Sequence, residues 1–123
     1  MAKIKESSTR NMNKGIALLS CPVTYVMNRI GGHWKPIILF QLMSGAKRYS
    51  ELRRAIPSIS EKMLIQHLKQ LQEDDLVIRD AEHVVPPVVT YHLSAAGRAL
   101  TPVLNAMAEW AIRDNKKRAR KLS

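Results

Sequence analysis

Between Ser50 and Glu73 the chain reads SELRRAI, then PSI, then SEKMLIQHLKQLQE. Pro57 cannot continue a helix comfortably, because it lacks an N–H and its ring crowds the preceding turn. Ser50 reads as the cap of a short helix, with Glu51 in the first turn where an acid suits the dipole. Leu52, Ala55 and Ile56 form its buried side, and Arg53 and Arg54 face out. Ser60 reads as the N-cap of a longer helix running to Glu73. On a 3.6-residue period Leu64, Leu68 and Leu71 make its inner stripe, flanked by Met63 and His67. A short helix, a three-residue turn and a longer helix are the parts of a helix-turn-helix.

Two strand-like runs follow, Leu76–Arg79 and Val88–Leu93. The connection Asp80–Pro87 is long for a tight hairpin, and Pro86-Pro87 stiffens its return limb. A hairpin placed there is a wing. The expected fold is therefore mainly α with a small β-hairpin: a winged helix-turn-helix with N- and C-terminal dimerisation helices.

The flanking segments fit that frame. Residues 1–20 read as a loose basic extension, apart from an apolar patch at Ile16–Leu19. Pro22 suits a first helical position, so a helix is expected over Pro22–Ile30, with Val23, Met27 and Ile30 on one face. Gly31-Gly32 ends it. A second helix from Lys35-Pro36 to Ser44-Gly45 is apolar on nearly every side, which places it in the core with Trp34. Ala46–Tyr49 reads as a short extended link that can pair with the hairpin. Ser94 reads as the cap of a last helix running towards Asn115, striped by Leu100, Val103, Leu104, Met107 and Trp110. Pro102 either bends that helix or marks a restart at Thr101-Pro102. The stripe, together with Val23, Met27 and Ile30, is expected to form a symmetric dimer seam.

Composition decides between classes of partner. The chain has 123 residues and a formal net charge of +10, enough length for one domain with its own core. Residues 113–123 carry six basic side chains and one acidic, residues 1–20 four and one, and the span 21–112 ten and eight. The excess points to a polyanion but sits mostly in the ends, where a basic tail is also simply a solvated terminus. The three expected segments are a basic extension over 1–20, the winged domain over 21–112 and a basic tail over 113–123. No run is long enough to span a bilayer and the N-terminus lacks an apolar signal region, so a cytoplasmic setting is expected. His33, His67, His83 and His92 fall at no metal-ligand spacing, and no phosphate loop or nucleophile elbow appears. Neither an enzyme nor a cofactor or metal site is expected.

The outward face of the 60–73 helix carries Lys62, Ile65, Gln66, Lys69 and Gln70, with no acid among them. Glutamine can read adenine bidentately, lysine can reach guanine or phosphate, and isoleucine can meet a thymine methyl. Any amphipathic surface helix shows such residues; the turn before it and the hairpin after it favour a major-groove reader of double-stranded DNA. Ser58 and Ser60 at the helix start can hold a phosphate. Arg53, Arg54, Arg79 and His83 complete the candidate DNA contacts, although Asp80 and Glu82 weaken the wing. A basic winged helix serving RNA or a protein assembly is the alternative, but RNA readers rely on exposed aromatics, and no such platform is visible.

The runs CPV at 21–23, IGGHWKPIIL at 30–39, YSELRRAIPSISEKMLIQHLKQL at 49–71, VPP at 85–87 and YHLSAAG at 91–97 resemble the HxlR family of bacterial winged helix-turn-helix regulators. The resemblance covers about residues 21–110. It implies a dimeric DNA-binding regulator of transcription with the 60–73 helix in the major groove, on a pseudo-palindromic operator. Three positions depart from the family pattern: Asp75 replaces a glycine, Val88 a basic residue and His33 a lysine. Aspartate tolerates the left-handed conformation, so the turn at Asp75 is expected to survive. Some family members use a cysteine near position 21 to sense oxidants or electrophiles. Cys21 stands at a helix N-terminus, where a thiolate is stabilised; it is either such a sensor or a small buried interface residue. A small-molecule or oxidant effector remains unidentified at this level.

Overall fold

The computed structural model describes residues 21–122. The extension over 1–20, with its Ile16–Leu19 patch, lies outside the described residues. Helix α1 spans Pro22–Ile30 with its proline in the first turn. Of the glycine pair behind it, Gly31 is extended and Gly32 takes the left-handed conformation at φ 93°. Gly31 is nonetheless required: its N–H donates to the Met27 carbonyl at 2.8 Å, and a Cβ there would collide with that oxygen.

Helix α2 covers Trp34–Leu42. Ile38, Leu39 and Leu42 are fully buried, whereas Phe40 is exposed. The helix sits in the core as expected, and Phe40 alone among its residues is exposed. The two-residue strand β1, Lys47–Arg48, leads into helix α3, Tyr49–Ala55. The helix begins one residue before the expected cap Ser50. The Arg48 N–H donates to the Glu51 carboxylate at 2.9 Å, so Glu51 satisfies the first turn instead.

Helix α4 spans Glu61–Glu73. Leu64, Leu68 and Leu71 are buried against α2 and strand β2, Val77–Glu82. Each such leucine contributes about 1.5–3 kcal/mol by leaving water. The turn after α4 puts Asp75 at φ 61°, as the tolerance of aspartate for that region allows.

Strand β3, Val88–Leu93, is central in a three-stranded antiparallel sheet of order β1-β3-β2. Lys47 lies opposite Tyr91, and Val77 through Glu82 lie opposite Leu93 through Val88. β2 thus reaches three residues beyond its expected end at Arg79, and the connection shortens to 83–87. The β-branched partners Thr90, Val89 and Val88 carry the ladder past Asp80 and Glu82, which are poor strand formers alone.

The last helix is two helices. Helix α5, Ala95–Arg98, is capped by Ser94, whose Oγ accepts from the Gly97 N–H at 3.0 Å. Gly97 is buried where a Cβ would strike the Leu76 carbonyl. Helix α6 restarts at Thr101, with Pro102 in its first turn, and runs 22 residues to Leu122. The basic segment expected as a tail is therefore continuous with this helix. Leu104 on α6 and Ile30 on α1 close the core, together with Ile56, Ile59, Leu76, Val77 and Leu93. Among the described residues no helix is long and apolar enough to cross a membrane.

Candidate nucleic-acid interface

The turn between α3 and α4 is braced from within. Ile59 is buried in it, and the Arg53 guanidinium donates to the Ile59 carbonyl at 2.6 Å. The outward placement expected of Arg53 is corrected: the side chain is half-buried and bound to the turn, because that carbonyl sits beyond the end of α3 with no helical partner. Arg54 does face solvent. Ser60 accepts from the Met63 N–H at 3.2 Å, capping α4 as expected. Among the described residues its hydroxyl proton and that of exposed Ser58 have no acceptor, so each can donate to a phosphate.

Lys62, Ile65, Gln66 and Lys69 are all exposed along α4, whereas Gln70 is half-buried at its border. Ile65 leaves 53% of its surface in water. An isoleucine so placed keeps half of its apolar surface available for contact. Glu73 lies at the far end of the helix. His67 is half-buried on the side towards Lys35 of α2, itself almost covered. Burial, and then the Lys35 charge, push the His67 imidazole below its usual range, against a side-chain hydrogen bond to Gln70 that favours the charged form. His67 is thus held towards its neutral form in the middle of α4.

On the wing, Arg79 and His83 are exposed as required of contacts, and so are Asp80 and Glu82. The loop tip shows Val84 and Val85, the latter fully exposed. The wing offers a backbone little net attraction.

Two polar ties have no counterpart in the sequence expectations. The Arg29 guanidinium donates to the Asp74 carbonyl at 2.6 Å, and the Ser94 hydroxyl donates to the Asp75 carbonyl at 2.6 Å. They anchor α1 and the start of α5 to the C-terminal end of α4. A basic residue in the last turn before Gly-Gly is the visible signal for the first; its partner, 45 residues away, is not visible.

The expected seam divides. Val23, Met27, Val103, Met107 and Trp110 are exposed, Trp110 by 66%. Ile30 and Leu104, assigned to the same seam, are instead buried inside the protomer at 3% and 2% exposure. Leu100 packs partly against that core. An apolar groove runs along α6 between Pro102 and Ala111, lined also by Val103, Ala106, Met107 and Trp110. Monomeric proteins rarely leave such a stretch in water.

Cys21 is half-exposed immediately before α1. No side chain formally caps that helix. The Thr24 hydroxyl, then the backbone N–H groups of Thr24 and Val23, nonetheless hold the thiol below its ordinary range, against a small desolvation. Thr24→Val is therefore expected to raise the Cys21 pKa. At neutral pH it should slow alkylation by iodoacetamide, with the rate–pH curve moved to higher pH; an unmoved curve would show that the hydroxyl does not act on the thiol.

A braced turn, a groove-sized helix with cations, an amide and an aliphatic outward, and a hairpin on a three-stranded sheet define a winged helix-turn-helix DNA-binding domain. The HxlR-like helix-turn-helix family model matches residues 29–119, and the chain belongs to that family. The HTH-type transcriptional regulator YybR of Bacillus subtilis (strain 168) is 43% identical over 90 residues, covering 73% of this chain and 72% of the relative. The redox regulator HypR in its oxidised form superposes with a TM-score of 0.73 at 42% identity, over 76% of this chain and 96% of that one. The reduced form of the transcriptional regulator YodB from B. subtilis gives 0.66 at 37% identity, over 74% and 90%. The chain is a transcriptional regulator with a DNA-binding helix-turn-helix domain.

Proposed function

We propose that the chain acts as a homodimer that binds a pseudo-palindromic operator sequence-specifically, with α4 of each protomer in the major groove. The observation that carries this reading is the exposed row Lys62, Ile65, Gln66 and Lys69, set over fully buried leucines. Side chains read bases only when the helix beneath them is rigidly seated, and Leu64, Leu68 and Leu71 provide that seat. In this assignment Gln66 pairs with an adenine edge, Lys62 with guanine or phosphate, and Ile65 with a thymine methyl. Ser58, Ser60, Arg54 and Lys69 hold the backbone, with Arg79 and His83 at the wing.

The exposed apolar residues on α1 and α6 support an isologous two-fold seam, and two reading helices about 34 Å apart then imply half-sites one turn of DNA apart. The lowered Cys21 pKa, and the likeness to a relative described as a redox regulator, support Cys21 as the point where an oxidant or electrophile acts. A cytoplasmic setting suits both roles.

Selection of bound duplexes from a random library, with and without a thiol oxidant, tests the reading. Two-fold related half-sites are expected. Gln66→Ala should lower discrimination at one position in each half-site by about 1–3 kcal/mol. If every base preference survives that change, α4 is not the reader.

A further inference from the structure

The last ten residues of α6 form a second charged surface, separate from the reading helix. α6 is about 33 Å long, at 1.5 Å per residue. Its apolar groove ends at Ala111, and from Arg113 onward its side chains are mostly cationic. At about 100° per residue, Arg113, Lys116, Lys117, Arg120 and Lys121 fall within an arc of about 140°. The single acid of this segment, Asp114, borders this arc beside Lys121 and is paired with Arg118 at 3.0 Å. Arg113 also approaches Glu109, at 3.7 Å and well exposed. Among the described residues Lys116, Lys117 and Lys121 meet no carboxylate. Like charges three and four residues apart repel along a helix, which makes a polyanion the natural complement of this face.

We propose that this cationic half-helix is a sequence-independent clamp for the phosphate backbone of duplex DNA, supplied by each protomer in addition to α4. The inference rests on the DNA-binding reading above and deepens it. Charge complementarity selects the occupant. The span 21–112 carries ten basic against eight acidic side chains, whereas residues 113–123 carry six against one. The reading domain itself therefore supplies little net attraction. A membrane surface is disfavoured because apolar and cationic residues follow one another along α6. An interfacial helix places them on opposite sides of the same turns. Single-stranded RNA is disfavoured because residues 113–122 contain no aromatic side chain on which a base could stack.

The test uses the full chain and the variant carrying Lys116→Gln, Lys117→Gln and Lys121→Gln, which keeps good helix formers on exposed positions. Both are titrated against random-sequence duplex, single-stranded RNA and anionic vesicles, between about 50 and 200 mM salt. The variant is expected to weaken all duplexes alike, roughly tenfold or more at about 0.1 M salt. Its salt slope should fall by about one for each phosphate that is no longer neutralised. Preferences among selected sequences should stay as they were. An unchanged salt slope on duplex overturns the clamp, as does a variant whose loss is confined to RNA or vesicles. Failure of the unaltered chain to bind any duplex would instead overturn the DNA-binding reading itself.

Discussion

Trp110→Glu is expected to separate the proposed dimer into folded monomers and to lower operator affinity by about 10²–10⁴-fold. That range is what bivalent engagement contributes when two linked modules bind two sites. The residue suits the experiment because it leaves 66% of its surface in water within the protomer. A charge there costs the protomer fold little, whereas an unpaired glutamate buried in an apolar two-fold seam is desolvated twice per dimer. Sedimentation and thermal melting separate the two effects: halved mass with nearly unchanged secondary structure is expected. A variant that stays dimeric would place the seam elsewhere. Ile30 and Leu104 cannot serve this purpose, because substituting either opens the protomer core.

Leu68→Ala is expected to destabilise the protomer by about 2–5 kcal/mol, through lost transfer free energy and the cavity left behind. Leu68 lies mid-way along α4 at 2% exposure, between the helix and the α2 wall. Set against a total stability of about 5–15 kcal/mol, the loss is a large share of what keeps the protomer folded. Urea titration should show the midpoint falling with little change in slope. Lys69→Ala, one residue on and exposed, should stay within about 0.5 kcal/mol in stability. A Leu68→Ala loss below about 1 kcal/mol would show that α4 is held mainly by its ends.

Features governed by neighbouring residues are legible in the sequence. Pro57 and Ser60 mark the turn and the start of α4, and the 3.6-residue spacing of Leu64, Leu68 and Leu71 identifies its buried side. The run VVTYHL marks β3 to the residue. Features settled by distant partners are not legible. Nothing near Arg53 announces that it will turn back to the Ile59 carbonyl, and nothing near Ile30 or Leu104 tells a protomer core from a subunit seam. Both choices of packing satisfy the same periodicity. Ser50 and Glu51 both fit the start of α3, and only the backbone geometry at Arg48 gives the role to Glu51. The end of β2 is hidden because Asp80 and Glu82 take strand conformation from their partners across the ladder. On the candidate interface, the exposed row on α4 is readable from the sequence, but the immobilisation of Arg53 is not.

The sheet order gives those same two acids a role. β1 pairs with β3 only at Thr90 and Tyr91, and β2, paired with β3 on one side alone, presents an open edge along its length. An unpaired strand edge is a template onto which another chain can add, the first step towards aggregation. Here that edge carries Arg79, Asp80 and Glu82, all in solvent. A second copy laid alongside would strip the water from these charges. The acids that make the wing a poor grip on DNA thus serve as gatekeepers of solubility, keeping this edge out of the association proposed for α1 and α6.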